Sequence, residues 1–207
     1  MSHEITSQLL SAIGPWLALV WCLQRLATWL RPQLRGWTQL TIMGAMAAIV
    51  LLVPIQGLAI SRWVAGLNAN FSVPLTGMIA VAIWERAFAH SVFSDREWRA
   101  SLKFGAIGGL VLYPLALGLG SLDPYEWGWR SSPLFIAMGP LTAWLIWKQN
   151  RFAILLLLAV AAFQLRLLES TNYWDYLLDP IYWIVSCVAL VRLFSVDVRR
   201  RLPQEAL

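Results

Sequence analysis

Two short segments hold the residues whose types best suit ligand binding. The first, 123–130, contains Asp123 and Glu126, and the second, 169–180, mixes acidic, amide and aromatic side chains. Carboxylates beside aromatic rings suit a sugar or a cation, and loops held by a rigid scaffold often carry function. If the two segments meet, we expect the binding residues to be Asp123, Glu126, Glu169, Asn172, Trp174 and Asp175.

Both segments also have a purely structural interpretation. Asp123 as an N-cap, Pro124 at the first helical position and Glu126 at the third fit a capping box, which needs no ligand. Asp179 followed by Pro180 likewise predicts the start of a helix. Under this interpretation the segments form a folded cap whose acids are neutralised by nearby arginines.

A third group of chemically capable residues, Glu85, Arg86 and His90, lies within one apolar stretch. Arg86 and His90 are four residues apart and would share a helical face, whereas Glu85 would point about 100° away. Shifted pKa values could let such a trio act on a lipid substrate, or let Glu85 titrate in a proton-coupled transporter. The structural alternative is that Arg86 extends toward polar headgroups while Glu85 makes an ion pair with another helix.

Catalytic and cofactor motifs give no further guidance. A P-loop, a serine nucleophile elbow, a His-Glu-x-x-His helix and a dinucleotide fingerprint are all missing from the sequence. His90 is the only histidine away from the amino terminus, so we expect neither a haem nor a multi-histidine metal site, and no cofactor. Whether the protein is an enzyme stays open at this point.

Seven apolar stretches would have to position these residues. The chain is 59% hydrophobic and only 13% charged, a composition typical of membrane proteins. The stretches are long enough for helices that cross a bilayer, which takes about 17–25 residues. They cover residues 7–26, 40–60, 73–93, 102–119, 133–147, 152–168 and 180–194. Gly105 and Gly109 in the fourth stretch form a Gly-x-x-x-Gly pair that predicts close helix packing.

The distribution of basic residues predicts an orientation for such a bundle. Most of the 16 Lys and Arg residues fall at alternate ends of the stretches, the pattern expected of cytoplasmic ends. They are scattered in short clusters, so nucleic-acid binding is not indicated. The sequence therefore predicts an all-α, polytopic transmembrane helix bundle of about seven spans, with its amino terminus outside and its carboxyl terminus cytoplasmic.

We expect one transmembrane helical domain, 1–198, followed by a short basic cytoplasmic tail, 199–207, in a multi-pass protein of the inner (plasma) membrane. The leading functional hypothesis is an accessory or transport component of envelope biogenesis. Its partners would be membrane lipids and, at the outer face, a lipid-linked saccharide or another membrane protein. The alternatives are the membrane-embedded lipid enzyme and the proton-coupled transporter described above.

Overall fold

The computed structural model describes residues 2–30, 34–68, 70–129 and 133–201, and within these ranges the chain is almost entirely helical. The predicted all-helical class agrees with this architecture. The hairpin strands are β1 (Pro54–Ile55) and β2 (Leu58–Ala59), and Pro124–Gly128 forms a 3₁₀ helix. The helices are α1 (Ser2–Leu30), α2 (Gly36–Leu52), α3 (Ile60–Leu67), α4 (Val73–Phe88), α5 (Asp95–Ala116), α6 (Pro133–Trp147), α7 (Phe152–Gln164), α8 (Tyr173–Leu177) and α9 (Pro180–Arg201).

The predicted transmembrane character is wrong. Across the described ranges, none of the helices combines the length and the apolar character that crossing a bilayer requires. Helices α2, α4, α6 and α7 have 17, 16, 15 and 13 residues, at or below the lower limit of about 17. The longer helices carry charged residues within their length, such as Arg25 in α1, Lys103 in α5 and Arg192 in α9.

Several predictions are corrected by the same finding. They are the count of about seven spans, the outside amino terminus with its cytoplasmic carboxyl terminus, and the multi-pass inner-membrane location. The predicted basic tail, 199–207, lies outside the described residues from position 202 onward.

The second apolar stretch, 40–60, extends beyond the helix that the structure forms there. Helix α2 ends at Leu52, and the chain then turns back through the β1–β2 hairpin. The two turn residues, Gln56 and Gly57, both have positive φ angles, 51° and 83°, as a two-residue type I′ turn requires. Ile55, Leu58 and Ala59 on either side of the turn are apolar, yet they form an extended hairpin. Pro54 favours an extended conformation at the preceding residue, Val53, where α2 ends.

Helices α5 and α9 form the closest helix pair, and the predicted glycine pair lies at their contact. A Cβ atom on Gly105 would stand 2.8 Å from the Tyr182 ring, and one on Gly109 would overlap the Trp183 indole. The Tyr182 hydroxyl donates a hydrogen bond to the Ser101 carbonyl at 2.7 Å. These small residues therefore bring α5 and α9 together within one molecule and so fix where the carboxyl end of α5 meets the start of α9.

The main core surrounds α7 and α8. Three tyrosines, Tyr173, Tyr176 and Tyr182, are fully buried, and Phe135 stacks on Tyr173 with ring centroids 4.3 Å apart. A smaller cluster joins α1, α2 and α4 around Ala47. Because α8 is short and sunk into the main core, its polar residues are held in fixed positions at one end of the molecule.

Candidate binding site

The two predicted segments do meet. The Asn172 side chain donates from Nδ2 to the Tyr125 carbonyl at 2.9 Å, and the Trp174 indole donates to the Pro124 carbonyl at 2.7 Å. Asn172 is completely buried, and Trp174 is nearly so. Two buried side chains of the second segment therefore satisfy two backbone carbonyls of the first and lock the segments together.

Each segment folds locally around its own cap. Asp123 accepts from the Tyr125 backbone N–H at 2.9 Å and begins the 3₁₀ helix, while Asn172 accepts from the Trp174 N–H at 2.9 Å and begins α8. Asp123 thus caps a separate 3₁₀ helix, not α6 itself. Gly128 allows the segments to approach, because a Cβ atom at this position would overlap Oδ1 of Asn172.

Asp175 lies at the junction of the segments. Its Oδ2 atom accepts hydrogen bonds from the Tyr125 hydroxyl at 2.9 Å and from the Ser170 hydroxyl. Burial, together with the neighbouring Asp175 carboxylate, raises the pKa of Tyr125 to about 12. The phenol is therefore a firm proton donor to Asp175 at neutral pH.

A cavity of about 390 Å³ opens beside Asp175, and we call it the Asp175 cavity. It is formed where the chain before α4, the end of α5, the 3₁₀ helix, α8 and the start of α9 come together. Its lining consists of Asn68, Asn70, Leu112, Tyr113, Ala116, Tyr125, Asp175, Leu178, Asp179 and Pro180.

Asp179 fixes one wall of this cavity. Its Oδ1 accepts from the Tyr182 backbone N–H at 3.0 Å, which confirms the predicted N-cap of α9, and its Oδ2 accepts from the Ser72 N–H at 2.8 Å. Burial raises the pKa of Asp179 above its ordinary value, although its hydrogen bonds with Ser72 and with backbone N–H groups oppose the shift. The bond to Ser72 ties the segment before α4 to α9, and this places Asn68 and Asn70 at the cavity wall.

Two amide atoms at this wall lack hydrogen-bond partners in the part of the chain that the structure describes. They are Nδ2 of Asn68, a donor, and Oδ1 of Asn70, an acceptor, and both are shielded from solvent. Leaving a buried polar group unpaired costs about 1–3 kcal/mol. The two residues that carry these atoms line the same cavity, so a ligand there could satisfy both atoms if the carboxamides rotate toward it.

Tyr113 supplies an aromatic surface and a second phenol to the cavity. Its ring lies against the Trp183 indole, with centroids 5.0 Å apart. The pKa of Tyr113 is raised by burial and further by the nearby carboxylates of Asp179 and Asp175. Both acids therefore act on the same phenol, as expected of groups gathered around one space.

The predicted binding residues divide into three groups in the structure. Asp175 lines the cavity, Asn172 and Trp174 are buried and hold the two segments together, and Asp123, Glu126 and Glu169 are exposed and are not among its lining residues. Asn68, Asn70 and Tyr113 were missed by the sequence-based prediction. The sequence does show two asparagines shortly before Ser72, the N-cap residue of α4. However, only the tertiary contact between Ser72 and Asp179 shows that they lie at the cavity.

The structure does not arrange Glu85, Arg86 and His90 as the helical spacing predicted. Helix α4 ends at Phe88, and Ala89 adopts a positive φ of 51°. The exposed His90 therefore lies beyond the helix and is not one turn after Arg86. Glu85 accepts from the backbone N–H groups of Val92 and Phe93 at 2.8 and 2.7 Å, so its carboxylate closes the following loop.

Comparisons with family models, with curated proteins and with solved structures give no match.

Proposed function

We propose that this protein binds a saccharide, with one sugar unit held in the Asp175 cavity. The observation that carries the proposal is the pair of unpaired amide atoms, on Asn68 and Asn70, beside a cavity lined by two carboxylates and two phenols. Sugar-binding sites need convergent donors and acceptors around an apolar surface. Tyr113, Leu112 and Leu178 provide that surface in the same cavity.

The unpaired atoms favour a hydroxylated ligand over a cation. A cation would interact with Oδ1 of Asn70 and with the carboxylates but would leave the Nδ2 donor of Asn68 unsatisfied. A hydroxyl group both donates and accepts, so a polyol satisfies the two amides together. Asp175 and Asp179 then serve as acceptors, and hydrogen bonds to charged groups contribute about 1.5–3 kcal/mol each.

Binding requires only a small movement of the amides. Both unpaired atoms are shielded from solvent, while both residues line the cavity. The terminal torsion of an Asn side chain is broad and roughly two-fold, so rotation of the carboxamide can turn either atom toward a ligand. The backbone N–H of Ser72, two residues after Asn70, donates a hydrogen bond to Asp179 and so anchors the chain next to Asn70.

The cavity volume limits the size of the bound group. At about 390 Å³, it lies near the lower end of the range of small-molecule sites, about 300–1,000 Å³. We therefore expect a single sugar ring, either free or as the terminal unit of a longer saccharide.

The first test is a glycan array probed with the full-length protein, followed by calorimetric titration of the best-binding glycan. The matched probe for a cation site is tetramethylammonium. Saturable binding of a neutral glycan, lost in the double variant Asn68→Leu/Asn70→Leu while the circular dichroism spectrum is unchanged, supports the proposal. Tetramethylammonium binding in the absence of any glycan binding overturns it. So does glycan binding that survives in a correctly folded double variant.

A further inference from the structure

A second and larger cavity, of about 730 Å³, forms a groove between α5 and α6. Both helices pack on α7, and they make few direct contacts with each other. Phe152 of α7 and the buried Trp174 also line the groove, which we call the α5–α6 groove. The groove is separate from the Asp175 cavity, and its interpretation does not depend on the proposed function.

The walls of the groove are apolar along most of its length. Helix α5 contributes Phe104 and Ile107, and α6 contributes Leu141 and Trp144. Ile107 is 61% exposed and Trp144 is 49% exposed. Two large apolar side chains on opposite helices therefore offer apolar surface that a ligand lying in the groove would cover.

One end of the groove is cationic. Arg96, Arg99 and Lys103 lie three and four residues apart along α5 and so share one face of the helix. Lys148 follows the end of α6 and lines the same end of the groove. Among the lining residues that the structure describes, Asp95 is the one acidic residue, so positive charge dominates this end.

We propose that the α5–α6 groove binds the anion of a fatty acid. The carboxylate would lie among Arg96, Arg99 and Lys103, where guanidinium groups can pair with it through two parallel hydrogen bonds. The acyl chain would run along the apolar walls toward Gly108. From Arg96 to Gly108 the axis of α5 rises about 18 Å at 1.5 Å per residue, which gives the groove the length of an extended acyl chain.

The lining of the groove separates charge from apolar surface. The cations lie at one end, around Arg96 and Lys103, and the walls toward Gly108 are apolar. A single acyl chain with an anionic head matches this division, whereas an acidic amphipathic helix would place carboxylates beside the apolar walls, where burying a charge is costly.

The test is calorimetric titration of the full-length protein with laurate below its micelle concentration. Dodecylamine has the same chain with the opposite charge, and butyrate has the same head without the chain. We expect laurate to bind saturably, both controls to bind at least roughly tenfold more weakly, and the laurate affinity to fall as salt screens the head group.

A pair of double variants separates the groove from general surface charge. Arg96→Gln/Lys103→Gln removes two exposed cations from the groove, and Arg62→Gln/Arg192→Gln removes two exposed cations elsewhere. The proposal requires the first to weaken laurate binding by roughly tenfold or more and the second to leave it unchanged. The proposal is overturned if the two double variants weaken laurate binding equally, or if dodecylamine binds as tightly as laurate. It is also overturned if an acidic amphipathic peptide binds and laurate does not.

Discussion

The Tyr125 hydroxyl donates a hydrogen bond to the Asp175 carboxylate at 2.9 Å, although the two residues are 50 positions apart in the sequence. This bond joins the 3₁₀ helix to α8 at the edge of the Asp175 cavity. It holds the carboxylate in one orientation and occupies only one of its oxygens. The other oxygen can therefore accept a hydrogen bond from a ligand.

Replacing Tyr125 with Phe should show how much this bond contributes. We expect Tyr125→Phe to lower the free energy of unfolding by about 0.5–1.5 kcal/mol, the usual net value of one hydrogen bond. Urea denaturation measures the change. In a double-mutant cycle with Asp175→Ala, which removes the acceptor, the two losses should be less than additive, because both variants remove the same bond. Full additivity would show that the two side chains do not interact.

The raised pKa of Tyr125 predicts a dependence of stability on alkaline pH. The unfolded chain releases this phenolic proton near pH 10, whereas the folded protein retains it until about pH 12. The folded state thus binds more protons in this window, so stability falls as pH rises from about 10 to about 12. The fall should be smaller in Tyr125→Phe, since its unfolded state has one fewer phenol to ionise. Identical slopes for the two proteins would contradict the assignment.

Gly128→Ala should separate the two segments that build the site. The added methyl group overlaps Oδ1 of Asn172. We therefore expect the free energy of unfolding to fall by about 1–3 kcal/mol, as at other overpacked sites. Gly139→Ala is the matched control, because a Cβ atom there meets nothing within 4 Å. Its position inside α6 should make that variant neutral or slightly stabilising. Equal stability of the two variants in urea denaturation would show that the segments do not meet as described.

Gly105→Ala tests the contact between α5 and α9. The new methyl group would stand 2.8 Å from the Tyr182 ring and closer still to the Ser186 hydroxyl. We expect this substitution to lower the free energy of unfolding by about 1–3 kcal/mol. Gly108 is three residues further along α5, and a Cβ atom there has its nearest neighbour at 3.7 Å. Thermal unfolding should show a lower Tm for Gly105→Ala and an unchanged or higher Tm for Gly108→Ala, because Ala is the better helix former. An equal fall in Tm for both variants would show that the loss does not come from the contact with α9.

Glu97 predicts a dependence of stability on acidic pH. Its burial raises the pKa of the carboxyl, but hydrogen bonds from the backbone N–H groups of Ser94 and Arg151 outweigh this effect and leave the pKa below its ordinary value. The contribution of the Glu97 carboxylate to stability is therefore fully present above the ordinary pKa of a Glu side chain. It is lost as the pH falls through the lowered pKa of Glu97 in the folded protein. Glu97→Gln should lower the free energy of unfolding by about 1–3 kcal/mol at neutral pH.

The loss caused by Glu97→Gln should shrink as the pH falls, because the wild-type carboxylate then becomes protonated. Urea denaturation between pH 3 and pH 7 measures this loss of stability. Glu126→Gln is the control, because it removes the same charge from an exposed position. A loss that stays constant across this range would show that the charge of Glu97 makes no contribution.

Local signals in the sequence predicted where helices begin. Helices α4, α6, α7 and α9 start at positions 73, 133, 152 and 180, as the apolar stretches indicated. At three of these starts a proline occupies the first or second helical position, a preference that acts within a few residues. The end of α6 at Trp147 was also predicted correctly, but α2 and α4 end earlier than their stretches, because the turn at Gln56 and Gly57 and the positive φ of Ala89 interrupt them. Helices α1, α5 and α9 are instead longer than their stretches because they include charged residues. Hydrophobicity alone therefore misplaced several helix limits and suggested membrane spans.

The binding site was predictable only in part, for a related reason. Asn172, Trp174 and Asp175 stood out because acidic, amide and aromatic residues are dense in one segment. Asn68 and Asn70 reach the same cavity through the bond between Ser72 and Asp179, which spans 107 residues. No local pattern records such a contact. Asp179 was recognised as a helix cap, but its second oxygen, which organises the cavity wall, was not anticipated.

The most direct test of the saccharide proposal compares two variants that remove the same charge at the same end of the molecule. Asp175 lines the cavity, whereas Glu126 is exposed and is not among the lining residues. Calorimetric titration with the best-binding glycan should show at least a tenfold weaker affinity for Asp175→Asn, since hydrogen bonds to a charged group contribute about 1.5–3 kcal/mol. Glu126→Gln should bind as the wild type does. Unchanged affinity in Asp175→Asn, or equal losses in both variants, would contradict the assignment of the cavity as the saccharide site.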